Sequence, residues 1–259
     1  MSQDAWNPQQ YERFKNERSQ PFFDLMDLVE DSKKIQMAID LGCGTGELTK
    51  VLHERFQIQE TIGMDSSDQM LQKAKPQEGK GLHFEKGQIE NFEEDQKFDL
   101  IFSNAALQWC KGHEKLFVQL KKSLKPGGQL AVQMPMNFDA PSHQTANQVA
   151  GLEPFRTELK GEAGESGAGI LSPEAYARLL FQLGFREQKV FLRVYPHVLE
   201  SREHVIEWVK GTTLTSFQKR LSADLYQEFI KVYREKLFEK IPNDKPFFYP
   251  FKRILMWAR

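Results

Sequence analysis

The chain has 259 residues, enough for one large or two small domains with a sizeable core. Its 35 basic and 36 acidic residues leave a formal charge of −1, without the basic excess that nucleic-acid binding uses and without an acidic tail. Cys43 and Cys110 are too few for a disulfide framework or a zinc site, no run approaches the roughly 18 apolar residues of a membrane span, and no signal peptide opens the chain, so a cytoplasmic protein is expected.

Trp6-Asn7-Pro8 marks a helix start, with Asn7 as N-cap and Pro8 at the first helical position. Tyr11, Phe14 and Arg18 follow at helical spacing, and Pro21 is expected to end that helix and open another with Phe22, Leu25, Met26 and Val29 as its apolar face. From Ile35 the pattern alternates. Strands are predicted at about 35–41, 60–64, 81–86, 98–103 and 129–134, and helices near 45–56, 67–75, 113–124 and 173–183. Ser66 is expected to cap the helix over 67–75, and Pro126-Gly127-Gly128 to form the turn that releases the fifth strand. Such alternation with short connections implies an α/β fold, a mostly parallel sheet with helices on both faces.

Two segments depart from the alternation. The stretch 136–171, with its glycine-rich run 161–169, reads as a loop, either a mobile cover of the site or plain surface. Between a strand at Lys189–His197 and a final strand at Phe251–Trp257, the stretch Ser201–Glu239 carries Trp208, Leu214, Phe217, Leu221, Leu225, Phe229, Tyr233 and Leu237 at helical spacing. The expected organisation is therefore N-terminal helices 1–32 over the ligand site, a core 33–200 containing the mobile loop, an inserted helical cap 201–246 and a last strand 247–259.

Asp40-Leu41-Gly42-Cys43-Gly44-Thr45-Gly46 follows the first apolar run and precedes an amphipathic stretch, the strand–glycine turn–helix order of a nucleotide-type site. The spacing is GxGxG rather than GxGxxG, and Asp40 would repel a pyrophosphate while attracting a cationic amino-acid tail, which disfavours a nicotinamide cofactor. Asp65 ends the next apolar run nineteen positions after Gly46, near the spacing of a ribose-binding carboxylate. These residues resemble the first motifs of the class I S-adenosylmethionine (AdoMet) methyltransferases.

A closer resemblance rests on Trp6-Asn7-Pro8, Tyr11, Phe14, Glu17-Arg18-Ser19 and Pro21, on Ser103-Asn104 with Leu107-Gln108-Trp109, and on Leu130–Pro135 and the closing Ala258-Arg259. Together they are similar to the trans-aconitate 2-methyltransferase family over nearly the whole chain. The resemblance implies a Rossmann-like fold with a seven-stranded sheet and AdoMet as cofactor, S-adenosylhomocysteine as product and no metal. It implies cofactor contacts from Asp40, Gly42, Cys43, Gly44, Asp65, Ser66, Met70, Gln88, Ile89, Asn104, Tyr11 and Arg18, with Gln88 standing where relatives carry an acid. The Leu107–Cys110 block is also similar to the methyltransferases that esterify malonyl-acyl carrier protein, for which Lys121, Lys122 and Lys125 would be a docking patch.

A carboxylate is already ionised at neutral pH, so its esterification requires no general base. Gln108 and Trp109 are expected to position the reactants. A small polycarboxylate needs cationic partners, for which Arg18 is the first candidate, with Arg193, His143, Arg253 and Lys252 behind it. Trp6 and Trp109 would line the substrate, although by pattern alone these aromatic residues read first as core packing. The expected partner is a small-molecule carboxylate or an acyl carrier protein, bound by a monomer; a non-catalytic AdoMet-binding module is the reading from another class.

Overall fold

The computed structural model describes residues 15–30, 35–161 and 169–259, without the side chains of 15–18. Seven strands form one sheet: β1 (Met37–Leu41), β2 (Glu60–Asp65), β3 (Leu82–Lys86), β4 (Phe98–Asn104), β5 (Leu124–Pro135), β6 (Gln188–Leu199) and β7 (Phe247–Ala258). Their spatial order is β3-β2-β1-β4-β5-β7-β6. The first five pair in parallel, and β7 runs antiparallel to β5 with Leu130 opposite Ala258 and Pro135 opposite Arg253. Near-continuous burial along β1 and β4 is what a sheet covered on both faces demands, and it explains the unbroken apolar runs in the sequence. The expected turn Pro126-Gly127-Gly128 is a bulge inside β5: pairing passes from Phe98–Leu124 to Leu100–Gln129, and Gly127 takes φ +76°.

Two compact units emerge. Of the described residues, one comprises 18–30, 35–135, 169–193 and 253–259; the other comprises 15–17, 136–161 and 194–252. In the first unit the helices α1 (Lys15–Met26), α2 (Glu47–Arg55), α3 (Asp68–Ala74), α4 (His113–Ser123) and α7 (Pro173–Gln182) accompany the strands. Helix α1 buries Phe22, Leu25 and Met26, with the Phe22 ring 4.8 Å from that of Phe102 on β4. The helix break expected at Pro21 does not occur; α1 runs straight through it. Burial of three large apolar side chains, about 1.5–3 kcal/mol each, outweighs the ~3 kcal/mol that an internal proline costs.

The second unit contains α5 (Pro141–Ala150), α6 (Phe155–Glu158), α8 (Glu203–Lys210), α9 (Thr215–Gln218) and α10 (Ala223–Phe238). Its core gathers Val149, Phe155, Trp208, Phe217, Phe229 and Tyr233. The stretch 136–171 is thus not the loop expected from sequence, since it holds two helices. Helix α5 is polar in composition, but Ala146, Val149 and Ala150 are buried and Tyr233 Oη donates to the Ser142 carbonyl at 3.0 Å. Residues 162–168 of the glycine-rich run, and the expected N-terminal features at Trp6, Asn7, Pro8, Tyr11 and Phe14, lie outside the described residues. Among the described residues no helix is long and apolar enough to cross a membrane.

Candidate active site

The ends of β1, β2 and β4 meet around the glycine turn. Gly42 has φ +81°, and its N–H donates to the Met64 carbonyl at 2.7 Å. A Cβ on Gly42 would lie 2.2 Å from Cβ of Ala106, so the turn after β1 and the turn after β4 are in contact there. Gly44 differs: it has φ +57° and, among the described residues, nothing within 4 Å of where its Cβ would point. The first glycine serves packing, and the second leaves the backbone open to a ligand.

Two carboxylates flank that opening. Asp40 is 3% exposed and accepts from Thr49 Oγ1 of α2 at 2.6 Å. Burial, with a smaller contribution from the Asp65 charge, raises its pKa from 3.8 to about 7 against the opposing Thr49 hydrogen bond. Asp65 accepts from the Gly44 N–H through Oδ2 and the Ser67 N–H through Oδ1, each at 2.9 Å. A carboxylate has about four lone-pair sites, so capacity remains for a diol. An acid held near neutrality suits a cationic amine, and a half-exposed acid on the next strand suits hydroxyl donors. This donor set and the open Gly44 backbone fit a nucleoside bearing an amino-acid tail.

Ser67, not Ser66, caps α3: its Oγ accepts from the Met70 N–H at 3.3 Å, because Ser67 is the extended residue immediately before the helix. Ser66 is exposed and the Met70 side chain is buried. Gln88 is exposed, and its Oε1 accepts from Asn91 Nδ2 at 3.0 Å; Ile89 is half-buried next to the Gly42 turn. The Cys43 thiol is pushed far up by burial and then by Asp40 and Asp65, which makes it a packing group and no nucleophile.

After β4 the chain enters a strained turn, with Ala105 at φ +56°. Gln108 Nε2 donates to the Ala105 carbonyl at 2.7 Å, while its Oε1 and Asn104 Oδ1 are buried without hydrogen bonds among the described residues. Trp109 follows, 40% exposed. A buried relay supports this turn. His113 Nε2 donates to the Leu107 carbonyl at 3.0 Å, and Nδ1 accepts from Tyr176 Oη at 2.6 Å, which in turn accepts from the Leu171 N–H. A carbonyl only accepts, so the imidazole is the neutral Nε2–H tautomer, and burial lowers its pKa.

The expected cationic candidates separate. Arg193 pairs with the buried Asp24 at 3.1 Å, so part of its charge is already compensated. Arg253 is buried within the sheet unit beside Gln133. In the other unit His143 is buried beside Ser142 and Phe138, and burial pushes its pKa down to about 4; it offers no cation at neutral pH, contrary to its expected role as a carboxylate partner. Lys252 is engaged by Asp139 in that same unit. Trp6 and Tyr11 lie outside the described residues, and Arg18 is on α1 with its side chain outside them. Sequence reading missed Thr49, whose partnership with Asp40 is set by the helix after the glycine turn, and the His113–Tyr176 pair, which is separated by 63 positions.

A family described as a methyltransferase domain matches residues 32–168. Trans-aconitate 2-methyltransferase from Deinococcus radiodurans is 42% identical over 98% of both chains, and that from Streptomyces avermitilis is 35% identical over 98% of this chain and 96% of its own. Among solved structures, the YcgJ protein from Bacillus subtilis superposes with a TM-score of 0.60 at 16% identity over 92% of this chain and 97% of that one. Phosphoethanolamine N-methyltransferase 2 from Haemonchus contortus gives 0.53 at 19% identity, covering 93% of this chain and 52% of its own. The structural likeness establishes the Rossmann-like methyltransferase fold, and the near-full-length identity places the chain in the trans-aconitate 2-methyltransferase family.

Proposed function

We propose that this protein transfers a methyl group from AdoMet to a carboxylate of trans-aconitate, giving a methyl ester and S-adenosylhomocysteine. The observation that carries the reading is the open Gly44 backbone between Asp40 and Asp65, in a chain 42% identical to a trans-aconitate 2-methyltransferase. AdoMet, when bound, supplies the electrophilic methyl group. Asp40 receives the amino-acid tail through charge, and Asp65 receives the ribose hydroxyls. Gln88 and Ile89 border the adenine. The Ala105–Trp109 turn sets one wall of the reaction space, with Gln108 held by Ala105 and the partly exposed Trp109 ring as the aromatic surface for a cation. The acceptor is already an anion, so no residue removes a proton; the protein aligns oxygen with methyl carbon and excludes water.

The acyl-carrier reading has less support. Lys122 pairs with Glu93 at 3.2 Å and Lys125 with Asp99 at 3.0 Å, while Lys121 lies over the Phe185 ring at 4.0 Å. The lysines of the supposed docking patch are committed within the fold. Two buried, unbonded cysteines accord with a reducing compartment, and we assign the enzyme to the cytoplasm as a monomer. The test is product identification: incubation with methyl-labelled AdoMet and trans-aconitate is expected to give a labelled methyl ester by mass spectrometry and NMR. Labelled AdoMet recovered unchanged would overturn the proposal.

A further inference from the structure

A second polar cluster in the sheet unit begins at Asn104, beside the cofactor turn, and leads away from it across the sheet. In-register pairing sets Asn104 of β4 beside Gln133 of β5. Gln133 faces Leu255 on β7, and Arg253 stands two positions away on the same strand, hence on the same face. That face also carries Phe102, which meets Phe22 of α1. Gln133 is 0% and Arg253 5% exposed, deep burial for an amide and a permanent cation.

The hydrogen bonding fixes how these groups face. Arg253 Nη1 donates to Gln133 Oε1 at 3.5 Å; a guanidinium only donates, so the amide must turn its oxygen to it. Gln133 Nε2 is then, among the described residues, a buried donor without an acceptor. A spare amide N–H next to a guanidinium is complementary to a carboxylate, the pairing that gives charge-assisted hydrogen bonds. Asn104 Oδ1, buried and also without a partner, is an acceptor and would repel that anion, so the carboxylate end is the Gln133–Arg253 side.

Position decides whose carboxylate it is. Strands lie about 4.8 Å apart, so β5 is roughly 10 Å and β7 roughly 14 Å from β1 and the glycine turn. A ligand tail seated on Asp40 does not span that distance; a second molecule does. We infer that Gln133 and Arg253 form a specificity subsite for a non-reacting carboxylate of the acceptor, an inference that rests on the polycarboxylate reading above.

Gln133→Glu tests it by placing a carboxylate of the protein's own against Arg253. Steady-state kinetics would use trans-aconitate and trans-glutaconate, which lacks one carboxyl group, with calorimetric Kd values for S-adenosylhomocysteine and thermal melts as controls. The expected result is a KM for trans-aconitate raised at least about tenfold and a collapsed preference over trans-glutaconate, with the S-adenosylhomocysteine Kd within about twofold of wild type. Arg253→Lys, which keeps the charge and loses the fork, is expected to move the same constants in the same direction should Gln133→Glu not fold. Unchanged KM, or equal losses in acceptor and S-adenosylhomocysteine affinity, would overturn the subsite. Absence of wild-type turnover would instead overturn the acceptor reading on which it rests.

Discussion

On the proposed reading, Asp40 makes ligand binding a proton-release reaction. Its rise from 3.8 to about 7 corresponds to ~4 kcal/mol against the charged form, caused first by burial and then by Asp65. A cationic amino-acid tail requires the carboxylate, so below pH 7 binding must first remove a proton. Affinity for S-adenosylhomocysteine should rise about tenfold per pH unit up to about pH 6 and level off above pH 8. Calorimetry in two buffers of different ionisation enthalpy should find nearly one proton released at pH 5.5, about a quarter of one at pH 7.5 and almost none at pH 8.5. Asp40→Asn should abolish that slope and bind at least about tenfold more weakly at pH 7.5. The same shift acts on folding. A group raised in the folded state destabilises it as pH climbs from about 4 through 7, so the unliganded Asn variant should melt above wild type at pH 8 and converge with it near pH 4. Wild-type binding that is flat with pH and exchanges no proton would refute the reasoning.

Gly42→Ala, which drives a Cβ to 2.2 Å from Ala106 at positive φ, should cost about 2 kcal/mol or more and lower Tm by several degrees, whereas Gly44→Ala should leave Tm closer to wild type and weaken S-adenosylhomocysteine binding. Tyr176→Phe strips His113 Nδ1 of its donor and the Leu171 N–H of its acceptor; a loss of about 1–3 kcal/mol in denaturant melts is expected. Arg18→Ala should raise the KM for trans-aconitate far more than the Kd for S-adenosylhomocysteine, and equal losses would remove Arg18 as a carboxylate clamp.

What the sequence disclosed was whatever depends on neighbours in the chain. The apolar runs ending at Leu41 and Asp65, the glycine turn between strand and helix, and the alternation that orders the sheet are local patterns, and the structure keeps them. Helix α5 escaped notice because Pro-Ser-His-Gln-Thr-Ala-Asn-Gln has almost no apolar period; its burial comes from α10, far along the chain. Pro21 misled for the converse reason: a strong local breaker was overridden by the packing of Phe22, Leu25 and Met26. His143 read as a spare cation because its burial is a tertiary fact. Gln133 did leave a trace, a polar side chain within the apolar run Leu130–Pro135, but only the β4–β5–β7 register reveals what it faces.

The central claim is carboxylate methylation of a free polycarboxylic acid, and transfer of labelled methyl from AdoMet to trans-aconitate and to malonyl-acyl carrier protein, run in parallel, tests it most directly. Ester formed on trans-aconitate alone is the expected result. Label found only on the carrier protein, or on neither acceptor, would contradict it.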